Sequence, residues 1–506
     1  MARRPLLLAT AAALALLAAA CAEREPASPP PAVTSPPAAA TATQQSSTAT
    51  PAPTAQLTLT AAQVLDLMRS AVCWNDDPAL AASCLPPQAT TIEAIEAMGR
   101  SGDRRFIAPL IDMRWLAVGW ARWVDEALEA LTGLPFDDPL DWYAWASTQA
   151  PQLPAGYAGW KGHLLSFIDP AYIDLLATET TPLSLSTLRP DLLIWAGAAT
   201  NEVEPLRAPS LVHRVEERYL NAGDVVFALL LNGEARAYPR RIVAWHELVA
   251  DEVDGDPVVI AFCRPCGGAV AFDPRVGEQR YTLGASGLVH DGRTLLFDEE
   301  TGSLWDPTTG EPVAGPLLGE GIVLDRYPLV TTTWDDWATR HRNTFVLDLD
   351  TGFVRDYAPG AGLRDEPQSD KPEYPLTPSD RRLAAEERVI GVVIDGEARA
   401  YPAAALRERG ILHDTLGETA VVLLSEGPGT AVRIYRSGGL EVEDLGEGDG
   451  GLIARGDDGG DGTRWFVQED ALVSVIDGRR YPSVLTTELY WFAWARARPS
   501  TTIWEP

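Results

Sequence analysis

The sequence is poor in cysteine, and this scarcity excludes a small secreted domain held together by disulfides. Only 5 of its 506 residues are cysteine, whereas disulfide-stabilised domains are short and dense in cysteine. A chain of this length exceeds the size at which a single hydrophobic core stops growing, so we expect two to four domains. Apolar cores must hold these domains together, and 46% of the chain is hydrophobic.

Positive charge is also scarce, and its shortage excludes nucleic acid as a partner. The chain has 41 Lys and Arg residues against 71 Asp and Glu residues, which gives a formal net charge of −30. Binding to nucleic acid needs Lys and Arg to replace the counterions of the phosphates. An acidic surface instead keeps an exported protein soluble and holds its body away from an anionic lipid surface.

Long apolar runs are missing except near the N-terminus, where residues 1–20 are predicted to be a signal peptide. Arg3 and Arg4 precede an apolar run at residues 6–20. This run is too short for a comfortable membrane span, which needs about 20 residues. We expect no transmembrane helix in the rest of the chain.

The end of this run, Leu17-Ala-Ala-Ala-Cys21, resembles the lipobox of bacterial lipoproteins. The resemblance implies cleavage before Cys21, lipid on its sulfur and amino group, and an extracytoplasmic protein whose partner is the membrane, through a lipid anchor. The alternative is an ordinary signal peptide followed by an incidental cysteine. Residues 21–56 are rich in Pro, Ala, Ser and Thr, a composition typical of an extended linker.

Residues 57–180 show helical periodicity, with apolar side chains three and four residues apart. The run at 92–113 resembles a HEAT-type helical repeat. Because two such units are fewer than an independent solenoid needs, we expect a small α-helical domain. Cys73 and Cys84 lie in a loop-like segment of this region, and in an oxidising compartment they are most simply a structural disulfide.

An internal repeat begins after residue 205, where the pattern changes to short β-type runs separated by turns. The motif Gly233-Glu-Ala-Arg-Ala-Tyr-Pro239 recurs letter for letter 163 residues later, starting at Gly396. The tryptophan pair Trp334 and Trp337 recurs 157 residues later. A displacement that shrinks smoothly along the chain indicates two copies of one unit.

We therefore predict an α+β fold, with a small α-helical N-terminal domain followed by two tandem pseudo-repeated β-rich units at 205–350 and 380–506. Both copies keep an Asx-Gly pair, Asn232-Gly233 and Asp395-Gly396, which is typical of a hairpin turn. Only the first copy has cysteine, since Ser425 stands opposite Cys263. We expect the first copy to hold the chemistry and the second to cover its sheet edges.

The candidate site follows an apolar run at 258–263 that predicts a buried strand. The run ends in Cys263-Arg-Pro-Cys266, and Gly267-Gly268 comes next, which predicts a tight turn. Two sulfurs three residues apart can close a disulfide, exchange electrons or bind one soft metal ion.

Five motifs around this turn resemble, in order, those of the bacterial domain-of-unknown-function family 3179. The match covers about 225–347 closely and the second copy more loosely, and it implies no established reaction. The chain departs from the family's pattern at Arg264-Pro265, at Glu299, and at His290, where an aromatic residue is usual. The five motifs are Tyr238-Pro239, Trp245-His246-Glu247, Cys263-Arg-Pro-Cys266, Gly284-Ala-Ser286-Gly287 and Phe297-Asp298-Glu-Glu-Thr-Gly-Ser-Leu-Trp305.

The first functional hypothesis is a soft-metal site. Cys263 and Cys266, with His246 and His290 as further ligands, would form a sulfur and nitrogen set that suits Cu or Zn. Bound metal would also protect the thiols from oxidation. The outer hydrogen bonds that orient such ligands would come from Glu247, Ser286 and Asp298.

Two alternatives stay open, and they leave it undecided whether the protein is an enzyme. In thiol–disulfide exchange, Cys263 would attack and Cys266 would resolve the mixed disulfide. The residues after the pair predict a strand, however, and not the helix N-terminus that lowers the thiol pKa in thioredoxins. In the remaining alternative, the pair is an inert disulfide in a non-catalytic binding or scaffolding lipoprotein.

Overall fold

The computed structural model describes residues 59–72, 88–116, 119–176, 188–361, 372–377, 380–448, 451–457 and 463–505. The segments predicted as signal peptide and linker lie outside the described residues, and so do Cys21, Cys73 and Cys84. Among the helices in the described ranges, none is both long enough and apolar enough to cross a bilayer.

The described residues before 177 form α-helices; the apolar faces of the first six meet in one core, and that of the last packs with β-strand residues. They are α1 (Ala61–Ala71), α2 (Gln88–Ser101), α3 (Ile107–Leu116), α4 (Ala121–Thr132), α5 (Pro139–Gln149), α6 (Tyr157–Leu165) and α7 (Ala171–Leu176). Helix α1 begins at a capping box, in which Thr60 accepts from the backbone N–H of Gln63 and the Gln63 side chain accepts from that of Thr60. This exchange satisfies two N–H groups that have no partner inside the helix.

The described residues from 188 to 347 form β-strands with two short α-helices and one 3₁₀ helix, Pro190–Leu192. In chain order these are β1 (Leu193–Trp195), β2 (Leu206–Arg207), β3 (Leu211–His213), β4 (Val225–Leu231), β5 (Glu234–Pro239), α8 (Arg240–His246), β6 (Leu248–Val253), β7 (Asp256–Cys263), β8 (Gly268–Phe272), β9 (Arg275–Val276), β10 (Gln279–Arg280), β11 (Leu283–His290), β12 (Arg293–Asp298), β13 (Leu304–Trp305), β14 (Pro312–Ala314), β15 (Arg326–Tyr327), β16 (Val330–Thr333), α9 (Trp334–Arg340) and β17 (Phe345–Leu347). The strand orders are β16-β4-β5-β17-β3, β15-β8-β7-β6-β2 and β1-β11-β12-β13-β14, with a separate β9–β10 pair.

The C-terminal part repeats this alternation of strands and short helices. Its elements are β18 (Arg388–Ile394), β19 (Glu397–Pro402), α10 (Ala403–Arg409), β20 (Ile411–Leu416), β21 (Thr419–Leu424), β22 (Arg433–Arg436), β23 (Glu441–Gly448), β24 (Gly451–Asp457), β25 (Thr463–Val467), β26 (Ala471–Ser474), β27 (Arg480–Pro482), β28 (Thr486–Tyr490), α11 (Trp491–Ala497) and β29 (Thr502–Ile503). The strand orders are β28-β18-β19-β29, β20-β21-β22 and β23-β24-β25-β26-β27. The described residues therefore form a mixed α+β structure, as the sequence predicts.

Two sheets, one from each part, share their strand order and directions. In β16-β4-β5-β17 and in β28-β18-β19-β29, the first two pairings are antiparallel and the third is parallel. Side-chain contacts match as well, because Tyr238 donates to Asp251 at 2.9 Å and Tyr401 donates to Asp414 at 2.8 Å. The Asx-Gly turns of both hairpins have positive φ at both residues, as a tight two-residue turn requires.

Candidate functional site

The cysteine turn sits at the end of β7, a strand that is buried except at its first residue. Cys263 pairs with Gly268 across the β7–β8 hairpin, and Gly267 donates its N–H to the carbonyl of Arg264 at 3.1 Å. Gly267 has φ of 73°, a conformation that glycine adopts without steric cost. Cys263 and Cys266 are joined as a disulfide, with their Cα atoms 5.1 Å apart.

The C-terminal part of the chain covers this turn. Cys263 and Cys266 are 1% and 0% exposed, because they pack in one cluster with apolar residues of β28 and α11. The N–H of Tyr490 donates to the carbonyl of Cys266 at 2.8 Å, and Arg388 donates to the carbonyl of Gly267 at 2.7 Å. Both cysteine sulfurs are therefore shielded from solvent in the described structure.

His246, a predicted metal ligand, is fully buried at the end of α8 and has both ring nitrogens in hydrogen bonds. Nδ1 lies 2.7 Å from the carbonyl oxygen of Glu204, and Nε2 lies 2.6 Å from the hydroxyl of Tyr357. Since a carbonyl only accepts, Nδ1 carries the proton, and Nε2 of the neutral ring accepts from the tyrosine. Burial lowers the pKa of His246, which favours this neutral form.

His290, the other predicted imidazole ligand, is also buried, at the end of β11. Its Nε2 accepts from the backbone N–H of Arg189 at 2.9 Å. Burial, together with the nearby charge of Arg293, lowers the pKa of His290 to about 3. The ring is therefore neutral, and its hydrogen bond to Arg189 fixes the backbone of the segment that leads into β1.

Ser286 and Asp298, predicted to support the metal ligands, both stabilise the β11–β12–β13 meander. The Ser286 hydroxyl donates to the carbonyl of Leu295 at 2.6 Å, where a register shift interrupts the β11–β12 pairing. Asp298 is fully buried and accepts from the Thr301 hydroxyl and the Trp305 indole N–H, both at 2.8 Å. Both side chains therefore have their hydrogen-bonding partners within the β11–β12–β13 meander.

The structure does not bring the predicted ligand set together. Within the ranges that the structure describes, no group of three or more His, Cys, Asp and Glu side chains is placed so that it could hold a metal ion. The physical reason is that the cysteine sulfurs bond to each other, while the two imidazoles bond to backbone and tyrosine groups distant in sequence.

Glu247, predicted to orient a metal ligand, lines a cavity of about 180 Å³ beside the cysteine turn. Glu247 directly follows the last residue of α8 and has a φ of 56°, which is uncommon outside glycine. Arg264, from between the two cysteines, lines the same cavity. Trp245, the loop around Ala198, and strands β11 and β12 complete the wall.

The carboxyl of Glu247 makes no hydrogen bond or ion pair with any described residue, whereas Arg264 pairs with Glu373 at 3.1 Å. Burial raises the pKa of Glu247 to about 7, while Arg264 acts to lower it and Glu373 to raise it. Near neutral pH this group therefore exists as both acid and carboxylate. An acid poised near neutrality in a cavity is a feature of functional sites more often than of plain surfaces.

Two further residues of the cavity wall, Trp245 and Thr294, have a polar atom without a partner among the described residues. The indole N–H of Trp245 and the hydroxyl of Thr294 are each fully buried, so neither atom forms part of the cavity surface. Burying such groups unpaired costs about 1–3 kcal/mol each.

Sequence reasoning missed three of the four polar residues of this cavity. Trp245 stands inside the Trp245-His246-Glu247 motif, and Arg264 stands between the cysteines, so both carried a signal. Thr294 lies inside an ordinary β-type run, where nothing in the sequence marks it. The cavity becomes visible only when α8, the cysteine turn and β12 are placed together.

One protein family matches this chain, and its match covers the elements just described. Residues 203–501, more than half of the chain, match the family described as "Protein of unknown function (DUF3179)". Neither the curated proteins nor the solved structures gave a match to the chain. The chain belongs to the DUF3179 family.

Proposed function

We propose that the chain is an exported, lipid-anchored binding protein that holds a small polar ligand beside a structural disulfide. One observation carries this proposal: the cysteine sulfurs are buried, while the groups around them open onto a cavity. Glu247, Arg264, Trp245 and Thr294 line that cavity, and the Glu247 carboxyl has no partner among the described residues. A concave site with a few convergent polar groups and a perturbed carboxyl is a typical ligand site.

Thiol–disulfide exchange receives less support from the same geometry. An attacking thiolate must reach one sulfur of the disulfide, but Cys263 and Cys266 are 1% and 0% exposed. The turn is followed by strand β8, so no helix N-terminus lies there to stabilise a thiolate. Metal binding through Cu or Zn would require a reduced pair and the release of His246 from both of its hydrogen bonds.

We also propose that the two β-rich parts are copies of one unit, and that the second copy closes the site of the first. The shared strand order and the matched tyrosine–aspartate contacts support this duplication. Ser425, which stands opposite Cys263, bonds within its own loop to Thr430 at 3.0 Å. The second copy would thus cover the disulfide turn of the first copy.

The location rests on sequence alone. The apolar run before Cys21 supports export and lipid attachment, and residues 21–56 would act as a tether to the membrane. The net charge of −30 favours a partner other than nucleic acid. An oxidising compartment would also keep the Cys263–Cys266 pair as a disulfide.

The state of the cysteine pair is the first test. We expect peptide-resolved alkylation of the anaerobically purified native protein to show Cys263 and Cys266 blocked, because a buried disulfide has no thiol to modify. Mild reductant should open the pair only after denaturation, and elemental analysis should find no stoichiometric metal.

Two results would count against this reading. Reversible opening of the pair in the folded protein would support thiol–disulfide exchange. Stoichiometric Cu or Zn that is lost in Cys263→Ser would support the metal hypothesis.

Ligand occupancy is the second test. We expect polar compounds of about six to eight non-hydrogen atoms to bind, since a cavity of about 150 Å³ accommodates benzene. Glu247→Gln should weaken binding at least about tenfold, because it replaces a charged hydrogen-bonding group, whose bonds contribute about 1.5–3 kcal/mol, by a neutral one. Ligand-observed NMR on the full chain measures this.

Glu252→Gln is the matched control, because Glu252 is an exposed side chain of β6 that does not line the cavity. It should leave binding unchanged. If no compound of a chemically mixed set binds, or if Glu247→Gln binds as well as the wild type, the cavity is not a ligand site.

A further inference from the structure

We infer that a small dianionic oxyanion of the phosphate or sulfate type binds between Arg326 and Arg498, where the two β-rich parts of the chain meet. This site is separate from the cavity beside the cysteine turn and does not depend on the proposed function. It follows from two neighbouring arginines that form no ion pair with any described residue.

Arg326, in β15 of the first β-rich part, reaches across to β28 of the second. Its Nη2 donates to the carbonyl of Thr486 at 3.0 Å and to the hydroxyl of Thr487 at 2.6 Å. Both acceptors are neutral, and its Nη1 makes no hydrogen bond within the described part of the chain. A cation that is partly removed from water without a counter-charge is unfavourable, so this guanidinium favours an anion.

Arg498 lies on the same side of β28, directly after α11. Thr487 pairs with Gly391 across β18 and β28, and a Cβ on Gly391 would lie 2.3 Å from the Trp494 ring of α11. Residues paired across an antiparallel ladder place their side chains on one face, so the hydroxyl that binds Arg326 faces α11. Arg498 follows Trp494 by one helical turn, and its N–H donates to the Trp494 carbonyl at 2.9 Å.

The two guanidiniums therefore lie near each other without a carboxylate from the described residues. Burial, together with the nearby charge of Arg498, lowers the pKa of Arg326 to about 10. Arg498 donates, within the described ranges, only to the carbonyl of its neighbour Ala497 at 2.9 Å. Two like charges held close together repel each other, and one bound dianion would neutralise both.

The matching helix end of the first β-rich part meets an acid. His341 directly follows α9 and stands 157 residues before Arg498, the displacement that also separates the tryptophan pairs. Its Nε2 lies 3.2 Å from a carboxylate oxygen of Glu469, which belongs to the other β-rich part. At Arg498 the residue that comes from the other part is Arg326, a second base. An anion from solution would take the place that Glu469 has at the first helix end.

The arrangement favours a tetrahedral dianion over a carboxylate. A guanidinium offers paired N–H groups that match two oxygens of a phosphate, sulfate or carboxylate. A carboxylate has two oxygens and one charge, so it can neutralise one arginine and not both. Phosphate and sulfate have further oxygens and a second charge for the other arginine. Both Arg326 and Arg498 are only partly buried, so the ion can enter from solvent.

The experiment measures the binding of inorganic phosphate to the full chain by calorimetry, at constant ionic strength and about pH 8, where phosphate is mostly a dianion. Sulfate and acetate are measured in the same way. We expect phosphate and sulfate to bind at least about tenfold more tightly than acetate, because the second arginine adds at least one charge-assisted hydrogen bond.

Three substitutions assign the binding to this pair. Arg326→Met and Arg498→Met should each weaken phosphate binding at least about tenfold, because each removes charge-assisted hydrogen bonds. Arg326→Lys keeps the charge but loses the paired N–H groups, so its affinity should lie between those of the wild type and Arg326→Met. Arg280→Met is the matched control, since it removes an exposed arginine of β10 that forms no ion pair with a described residue, and it should leave binding unchanged.

Urea denaturation separates a binding role from a structural one. The unfolding midpoint of the wild type should rise with the phosphate concentration, as for any ligand that binds only the folded state, whereas that of Arg498→Met should not. Without phosphate, Arg498→Met should be at least as stable as the wild type, because it removes a repulsion between like charges.

Three results would overturn the inference. Phosphate and sulfate could bind no more tightly than acetate, or Arg280→Met could weaken binding as much as the other two methionine variants. Alternatively, Arg498→Met could lose stability without phosphate and still gain as much from phosphate as the wild type, which would assign Arg498 a structural role alone. None of these results would affect the proposed binding function of the cavity.

Discussion

Replacing Arg433 by methionine is expected to lower the free energy of unfolding by about 3–5 kcal/mol, the usual cost of removing one partner from a buried ion pair. The Arg433 guanidinium donates to Glu469 at 2.7 Å and 3.1 Å and lies 3.9 Å from Asp336 of α9. All three side chains are less than 10% exposed. The variant would leave two buried carboxylates without this cation, and urea denaturation measures the loss.

The matched control is Arg455→Met, which removes an arginine from an exposed pair. Arg455 and Asp444 lie 2.8 Å apart with more than half of each side chain exposed, and such pairs contribute about 0.2–1 kcal/mol. If Arg433→Met loses no more stability than Arg455→Met, the buried network does not stabilise the contact between α9 and the C-terminal part.

The pH dependence of this loss separates charge from packing. Burial alone would raise the pKa of Glu469, but the charge of Arg433 and a hydrogen bond from His341 outweigh it and hold the pKa well below its usual range. Such a carboxylate contributes stability above its unfolded pKa of about 4.5, and this contribution is lost as the pH falls through the folded value. The difference between wild type and Arg433→Met should therefore shrink in acid.

Local sequence signals predicted the elements around the site because their causes are local. The β-branched run at 258–263 becomes β7, and Asn232-Gly233 forms the turn between β4 and β5. Gly267-Gly268 allows the close approach of the C-terminal part, since a Cβ on Gly268 would lie 2.0 Å from the carbonyl oxygen of Glu488. In each case the residue type determines the backbone conformation within a few positions along the chain.

The partners of the polar side chains could not be predicted in this way. His246 bonds to Glu204 and Tyr357, which lie 42 and 111 residues away, and no local pattern indicates such contacts. An imidazole that precedes a Cys-x-x-Cys motif by two strands looks like a metal ligand, but in the folded chain its ring nitrogens bond to other groups. The same packing leaves Glu247, its chain neighbour, facing a cavity, so adjacent residues of one motif have unrelated roles.

Replacing Lys161 by methionine should have an effect of similar size in the helical region, about 3–5 kcal/mol. The Lys161 ammonium donates to Asp112 at 2.7 Å and to the carbonyl of Pro190 at 3.0 Å. Tyr143 and Tyr157 also donate to Asp112. The variant therefore removes the only cation that these contacts give Asp112 and one link between α6 and the segment before β1, and urea denaturation at pH 7 measures the loss.

Acid titration of this variant decides whether the buried charge causes the loss. Burial raises the pKa of Asp112, and Lys161 acts to lower it, so without Lys161 the pKa of this carboxyl rises further. A carboxyl with a raised folded pKa is least favourable above that pKa, and the penalty disappears as protonation neutralises it. The difference between wild type and Lys161→Met should therefore be largest near neutrality and shrink in acid. Arg122→Met is the control, because it breaks an exposed pair, and its loss of stability should stay below about 0.5 kcal/mol. If Lys161→Met instead loses the same stability at every pH, the loss comes from packing of the lysine side chain and not from the buried charge.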